Sequence, residues 1–207
     1  MDESTHNQQV KIYTIGHSNQ RLDSFLNLLV IHGIQLLADV RSVPHSKIAR
    51  QFDTAPLNNS LKSLKIAYYF LGQELGGKPN KLEYYDVEGY ALYYLMAQAP
   101  SFINAIERLI QMANKNKTAI MCVEENPLEC HRRLLISRIL SSHGIEELHI
   151  RGNGQLQTET EISGTRNFDQ EGFQFNLFGM QQEEIWRSAK PIRLDSPNTP
   201  RNNFSER

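Results

Sequence analysis

At 207 residues the chain is long enough for one domain with a sizeable core and too short for two comfortable ones. Hydrophobic residues at 40%, charged residues at 22% and a formal net charge of -1 are those of an ordinary globular domain; they exclude a global basic field, so any nucleic-acid contact must be local. Two cysteines exclude a disulfide framework, and neither Cys-x-x-Cys nor a Cys/His set with zinc spacing occurs, so reduced thiols with no metal and no cofactor are expected.

The first ten residues are polar and are expected to be disordered, with neither a basic start nor an apolar run. No stretch approaches the roughly 18 apolar residues of a membrane span, so a cytoplasmic protein without a membrane partner is expected. Short apolar runs then recur between turn residues: Ile12–Ile15, Ile34–Ala38, Ile66–Phe70, Thr118–Val123 and Glu147–Ile150. Their β-branched and aromatic content predicts buried strands. Helical stripes lie between them. Leu22, Phe25, Leu26, Leu28 and Leu29 make one, closed by Gly33; Phe102, Ile103, Ile106, Leu109, Ile110 and Met112 make a second; Leu134, Leu135, Ile139 and Leu140 make a third, closed by Gly144. Alternating strands and helices predict an α/β fold, an open, largely parallel sheet with helices on both faces over residues 11–152, in the layering shared by Rossmann, flavodoxin and rhodanese folds. From residue 153 the composition turns to Gln, Thr, Glu, Asn and Gly. An extended C-terminal tail follows, partly packed over 153–190, where Phe173–Phe178 and Glu183–Trp186 can each dock, and disordered over 191–207.

Ligands of open parallel sheets bind beyond the carboxyl ends of the strands, and the unusual polar residues fall there. The first strand runs into Gly16, His17 and Ser18; the second into Asp39, Arg41, Pro44 and Ser46; the third into Gly72 and Gly76-Gly77-Lys78; the fourth into Glu124, Glu125, Asn126 and Pro127. Asn126 suits an N-cap, Pro127 the first helical position, and Glu129 the position from which a side chain reaches back to the cap. That predicts a helix from Pro127 to Ser142 with Cys130 in its first turn, where the helix dipole and Arg132, Arg133 or His131 lower a thiol's pKa. Cys122, inside the apolar fourth strand, is assigned to the core. Cys130, His17 and Glu124 are the expected catalytic residues. Arg41 and Arg132 are suited to a bidentate grip on phosphate or carboxylate, and with His131, Ser18 and Ser46 they form the expected ligand-binding set. Gly76-Gly77 matches neither the P-loop nor the dinucleotide fingerprint. Packing is the expected fate of Tyr84, Tyr85, Tyr90, Tyr93 and Tyr94.

The residues Tyr13–Ser18, Asp39-Val40-Arg41 with Pro44 and Ser46, Leu75-Gly76-Gly77, and Cys122-Val123-Glu124 with Pro127 and Cys130-His131-Arg132 resemble the signatures of the bacterial and archaeal family catalogued as domain of unknown function 488. The resemblance spans about residues 11 to 150. It implies a compact α/β domain, carries no established reaction, and supports His17, Arg41, Glu124, Cys130, His131 and Arg132 as the site. Two thiol folds share parts of the layout. Asp39-Val40-Arg41 and Cys130 resemble rhodanese-like sulfurtransferases, but Arg132 follows Cys130 too soon to end that cradle. The Arg that thiol phosphatases place at a fixed distance after the Cys is replaced by Leu128 or Ile136.

Gln174-Phe175-Asn176-Leu177-Phe178 resembles the pentapeptide by which bacterial replication and repair proteins dock on the sliding clamp, with Leu177 and Phe178 as apolar anchors and Gln174 at the rim. Two functions are therefore expected to compete. One is an enzyme acting on a phosphate-bearing or nucleotide-like ligand, with an anionic small molecule as its partner; the other is a non-catalytic nucleic-acid or nucleotide binding module tied to DNA replication or repair.

Overall fold

In the computed structural model, residues 10–163 and 186–192 are described. Strand β1 (Lys11–Gly16) leads through helix α1 (Leu22–Ile31) to β2 (Leu36–Asp39); α2 (Thr54–Ser63) leads to β3 (Ala67–Phe70). Short helices α3 (Gly72–Leu75) and α4 (Tyr93–Ala97) precede the long α5 (Pro100–Lys115), which returns the chain to β4 (Thr118–Cys122). A π-helical stretch at Arg132–Ser137 continues into α6 (Arg138–Ser142), then come β5 (Glu146–Ile150), β6 (Leu156–Thr158) and α7 (Glu159–Ser163). The sheet order is β3-β2-β4-β1-β5-β6, with every pairing parallel except that of β5 with β6. This is the expected α/β architecture, extended by β6 and α7 beyond residue 152.

The two faces follow from strand alternation. Tyr13, Ile15, Leu37, Ala119 and Met121 pack with α1 and α2 through Phe25, Leu29, Leu57 and Leu61. Ile12, Leu36, Ala38, Ile120 and Cys122 point to the other face, against Phe102, Ile106 and Leu109 of α5 and Leu135 and Leu140. Each of the larger aliphatic and phenylalanine side chains among these, once buried, contributes about 1.5–3 kcal/mol. The α5 stripe is spaced at intervals of three and four along one helical face, and Pro100 begins it at a position that needs no backbone N–H. Helix α1 ends where Gly33 takes a left-handed φ of 63°, a turn that lets Ile34 bond back to Leu29.

The far C-terminal segment returns to the domain. Trp186 donates its indole N–H to the Leu134 carbonyl at 2.7 Å, and Ser188 exchanges hydrogen bonds with Ala91. Arg187 lies over the Tyr90 ring and pairs with Asp86. Pro191 and Ile192, which the sequence assigns to the disordered end, complete this clasp through the bond from Ile192 to the Gly89 carbonyl. The stretch Gln174–Phe178 lies outside the described residues. Among the described residues no helix is long and apolar enough to cross a membrane.

Candidate functional site

The carboxyl ends of β2 and β4 border a pocket of about 600 Å³. Its floor is Cys122, Glu124 and His131; Arg41, Ser42 and Gly77-Lys78 form one wall, and Tyr93 with residues 188–192 forms the other. Strand alternation aims Cys122 at this floor. The odd neighbour Met121 faces α1 and α2, whereas Cys122, the last residue of β4, faces the side on which the chain returns through Cys130 and His131.

The chain from β4 to α6 differs from the single helix that the sequence predicts. Asn126 does cap, accepting from the Leu128 N–H at 3.1 Å, but the turn it caps is a 3-10 turn over Pro127–Glu129. Cys130 is extended, with φ -103° and ψ 138°. It is not in a first helical turn; its carbonyl accepts from the N–H groups of Arg133 and Leu134, so it stands ahead of a second helical start. The extended residue turns its side chain into the core, where it is 1% exposed. Glu129 does not reach back to the cap and pairs instead with Lys190.

This break gathers four donor groups. The Glu124 Oε2 atom lies 3.0 Å from Cys122 Sγ and 3.2 Å from Cys130 Sγ. Cys122 Sγ is 3.4 Å from His131 Nδ1, and His131 Nε2 is 3.0 Å from the Val40 carbonyl. The Nε2 atom therefore carries a proton and donates it to that carbonyl, leaving Nδ1 to face the sulfur. A Cβ on Gly77 would collide with the His131 ring, so glycine there permits the close approach of the two. Burial alone would raise the Cys122 thiol, but the Cys130 hydrogen bond and the charge and hydrogen bond of His131 hold it well below an ordinary thiol. Burial and the neighbouring Cys122 push Cys130 well above that range. Burial and Cys122 likewise raise Glu124. The sequence favours Cys130 as the reactive thiol; its environment favours Cys122, which alone of the two lines the pocket.

The other expected site residues form a frame. Arg41, 3% exposed, is gripped by Asp39 at 2.9 and 2.6 Å and donates to the Phe52 carbonyl at 2.8 Å. His17 stacks on Phe52 with centroids 4.3 Å apart and contacts the Ser18 carbonyl and Arg41 Nη1 at 2.7 and 3.2 Å. Burial lowers its pKa to about 4, so the ring is neutral: Nδ1–H donates to Ser18 and Nε2 accepts from Arg41. Arg132, fully buried, spends both terminal nitrogens on the carbonyls of Glu124 and Glu125 at 2.5 and 2.6 Å. It pins the end of β4 and does not line the pocket. A Cβ on Gly16 would strike the Glu124 carbonyl and that guanidinium, so β1 can leave the sheet here only as glycine. Ser46 accepts from the N–H groups of Ile48 and Ala49, and exposed Ser18, at a φ of 44°, donates its backbone N–H to Val123. Neither lines the pocket.

Of the expected site, Arg41, Glu124 and His131 reach the pocket; Cys122, Ser42, Lys78, Tyr93 and Lys190 are there without having been expected. The position of Cys122, two residues before Glu124 at the end of a strand, was the available signal. Tyr93 is buried at 3% exposure while also bordering the pocket, and Tyr84 and Tyr85 pack against the same core, Tyr85 donating to the Pro79 carbonyl.

Fold and site together define an α/β protein with a thiol-bearing pocket at its strand ends. Residues 21–139 match the family described as Domain of unknown function DUF488, and the chain belongs to that family. No curated protein and no solved structure matches the chain.

Proposed function

We propose that the protein is an enzyme acting on a small phosphate-bearing or nucleotide-like ligand held in the strand-end pocket, with Cys122, Glu124 and His131 as the floor that carries the chemistry. The observation behind this reading is that a thiol, a carboxylate and an imidazole lie together on the floor of a pocket about 600 Å³ in volume, with the second thiol, Cys130, buried just behind them. That volume suits a small ligand. A module that only binds has no use for paired thiols sharing one carboxylate, and costs arise from burying them. The anion grip falls to Lys78, whose backbone N–H is held by Ser42, while Lys190 also lines the pocket but is paired with Glu129. Arg41 adds a positive field that Asp39 already offsets.

Calorimetric titration of the full chain with AMP and with inorganic phosphate tests the reading. AMP should bind, and Lys78→Ala should weaken it about tenfold or more, as loss of one charged hydrogen bond does. Turnover of a generic phosphate ester should vanish in Cys122→Ser while AMP binding persists. Absence of AMP and phosphate binding at millimolar concentration would refute the anionic ligand; binding without any loss of turnover in Cys122→Ser would refute the role of the floor.

A further inference from the structure

We infer that Cys122, Glu124, Cys130 and His131 form a binding site for one thiophilic divalent cation of the zinc type. Spacing hides this site. Cys122 and the Cys130-His131 pair are too far apart for a zinc signature in sequence, and the extended break at Cys130 is what brings them together. One ligand atom from each of the four residues lies within 4.8 Å of all the others. A tetrahedral centre with metal–sulfur bonds of about 2.3 Å and metal–nitrogen or metal–oxygen bonds of about 2.0–2.2 Å needs donor separations of about 3.4–3.8 Å. The three shortest separations, 3.0, 3.2 and 3.4 Å, must widen by a few tenths of an ångström and the wider ones, up to 4.8 Å, must close by up to about 1 Å, which rotation of the Glu124 and cysteine side chains can supply.

Three further features favour a cation over packed thiols. The donor set of two sulfurs, one imidazole nitrogen and one carboxylate oxygen is the soft-to-borderline mixture that zinc and its neighbours take and that magnesium and calcium do not. His131 holds its Nε2–H on the Val40 carbonyl, the outer hydrogen bond that orients a metal-binding imidazole and leaves Nδ1 as the ligand. Arg132 fixes the backbone of Glu124 from behind, so the end of β4 is held from a second side. Two buried thiols and the Glu124 carboxylate otherwise crowd together, and one dication offsets two of the three negative charges they carry when ionised; any proton still on a ligand thiol leaves to solvent on binding. Cys122, Cys130 and His131 are buried, while Glu124 is the exposed member on the pocket side. It is thus the ligand that water or a bound anion can replace, which is the open position of a catalytic rather than a structural centre.

The inference extends beyond the anionic-ligand reading and does not depend on it. The full chain, reduced and stripped with a chelator, is titrated with Co2+ and with Zn2+. One Co2+ per chain should produce thiolate-to-cobalt charge-transfer absorption, and one equivalent of Zn2+ should slow iodoacetamide alkylation of both Cys122 and Cys130 at least tenfold, as mapped by mass spectrometry. Cys130→Ser and His131→Gln should each lower the Co2+ affinity at least tenfold; if either fails to fold, the alkylation result on the unaltered chain decides alone. Alkylation rates indifferent to Zn2+ would overturn the site, as would a Cys122–Cys130 disulfide that forms in air despite saturating Zn2+. AMP titration of the stripped chain distinguishes the two ideas, because Lys78 and Lys190 are not ligands to the ion.

Discussion

Two groups of polar residues stand side by side at the strand ends, and they behave in opposite ways. Around Arg41, the Asp39 carboxylate, the Phe52 carbonyl and His17 satisfy the guanidinium, and the whole group is almost sealed from solvent. Around Cys122, the donors face one another across short distances, and the carboxylate of Glu124 sits at an open pocket. The first group has spent its hydrogen-bonding capacity on the fold; the second retains capacity for a ligand. A charged residue at a strand end is therefore evidence of function only when its partners leave something over.

The largest expected effect breaks the first group. Asp39→Asn removes the negative partner of a buried guanidinium and weakens the contacts that Tyr68 and the Arg41 backbone make with the same carboxylate. An unpaired buried charge costs about 3–5 kcal/mol, and urea unfolding should register a loss of that order. A loss below about 1 kcal/mol would mean that Arg41 is free to serve a ligand, and the contrast between the two groups would fall.

Glu147 supplies a sharper version of the contrast, because it is a buried carboxyl that, among the described residues, makes no ion pair of the kind Asp39 makes with Arg41. It is 3% exposed, its Oε2 accepts from Ser141 Oγ at 3.1 Å, and its Oε1 has no partner among the described residues. Burial raises its pKa from 4.5 to about 8. Between those values the folded chain keeps a proton that the unfolded chain has released, so stability falls as pH rises, by up to about 1.4 kcal/mol per unit. Urea unfolding between about pH 5 and pH 8 should show this decline in the parent chain and a flatter profile in Glu147→Gln. Equal profiles would place the carboxylate in contact with water.

How much of this was legible beforehand depended on the range of the interactions. The strands were visible because Ile12–Ile15 and Thr118–Val123 are apolar runs whose local composition decides their fate, and α1 and α5 because their stripes repeat within a few residues. Helix α2 was not read: its ten residues carry only Leu57 and Leu61 as buried anchors on an otherwise polar segment, and the sheet face supplies the rest of its reason to form. The site was half legible. Strand-end logic points to Arg41 and Glu124 and the helix-start reading to His131, but the same local capping argument favours Cys130 over Cys122, and no local pattern reports that the chain turns extended at Cys130. The wall contributed by residues 188–192 depends on bonds to Gly89 and Ala91 from about a hundred positions away, which no local period encodes.

The smallest expected effect concerns Ser46, which the sequence grouped with the ligand-binding residues. Its hydroxyl oxygen accepts the N–H groups of Ile48 and Ala49 at 3.2 and 3.0 Å, while its own N–H donates to Asp53 at 2.8 Å. The residue thus holds the loop that delivers Phe52 to His17, and it belongs with the sealed group. Ser46→Ala removes the two accepted bonds, leaving partly solvated N–H groups, and should cost about 1 kcal/mol, as the loss of a capping hydroxyl does. AMP affinity should stay within twofold of the parent chain, because the hydroxyl is turned toward its own loop and away from the pocket. An affinity loss of tenfold with stability intact would move Ser46 across the divide, from the residues that build the fold to those that touch the ligand.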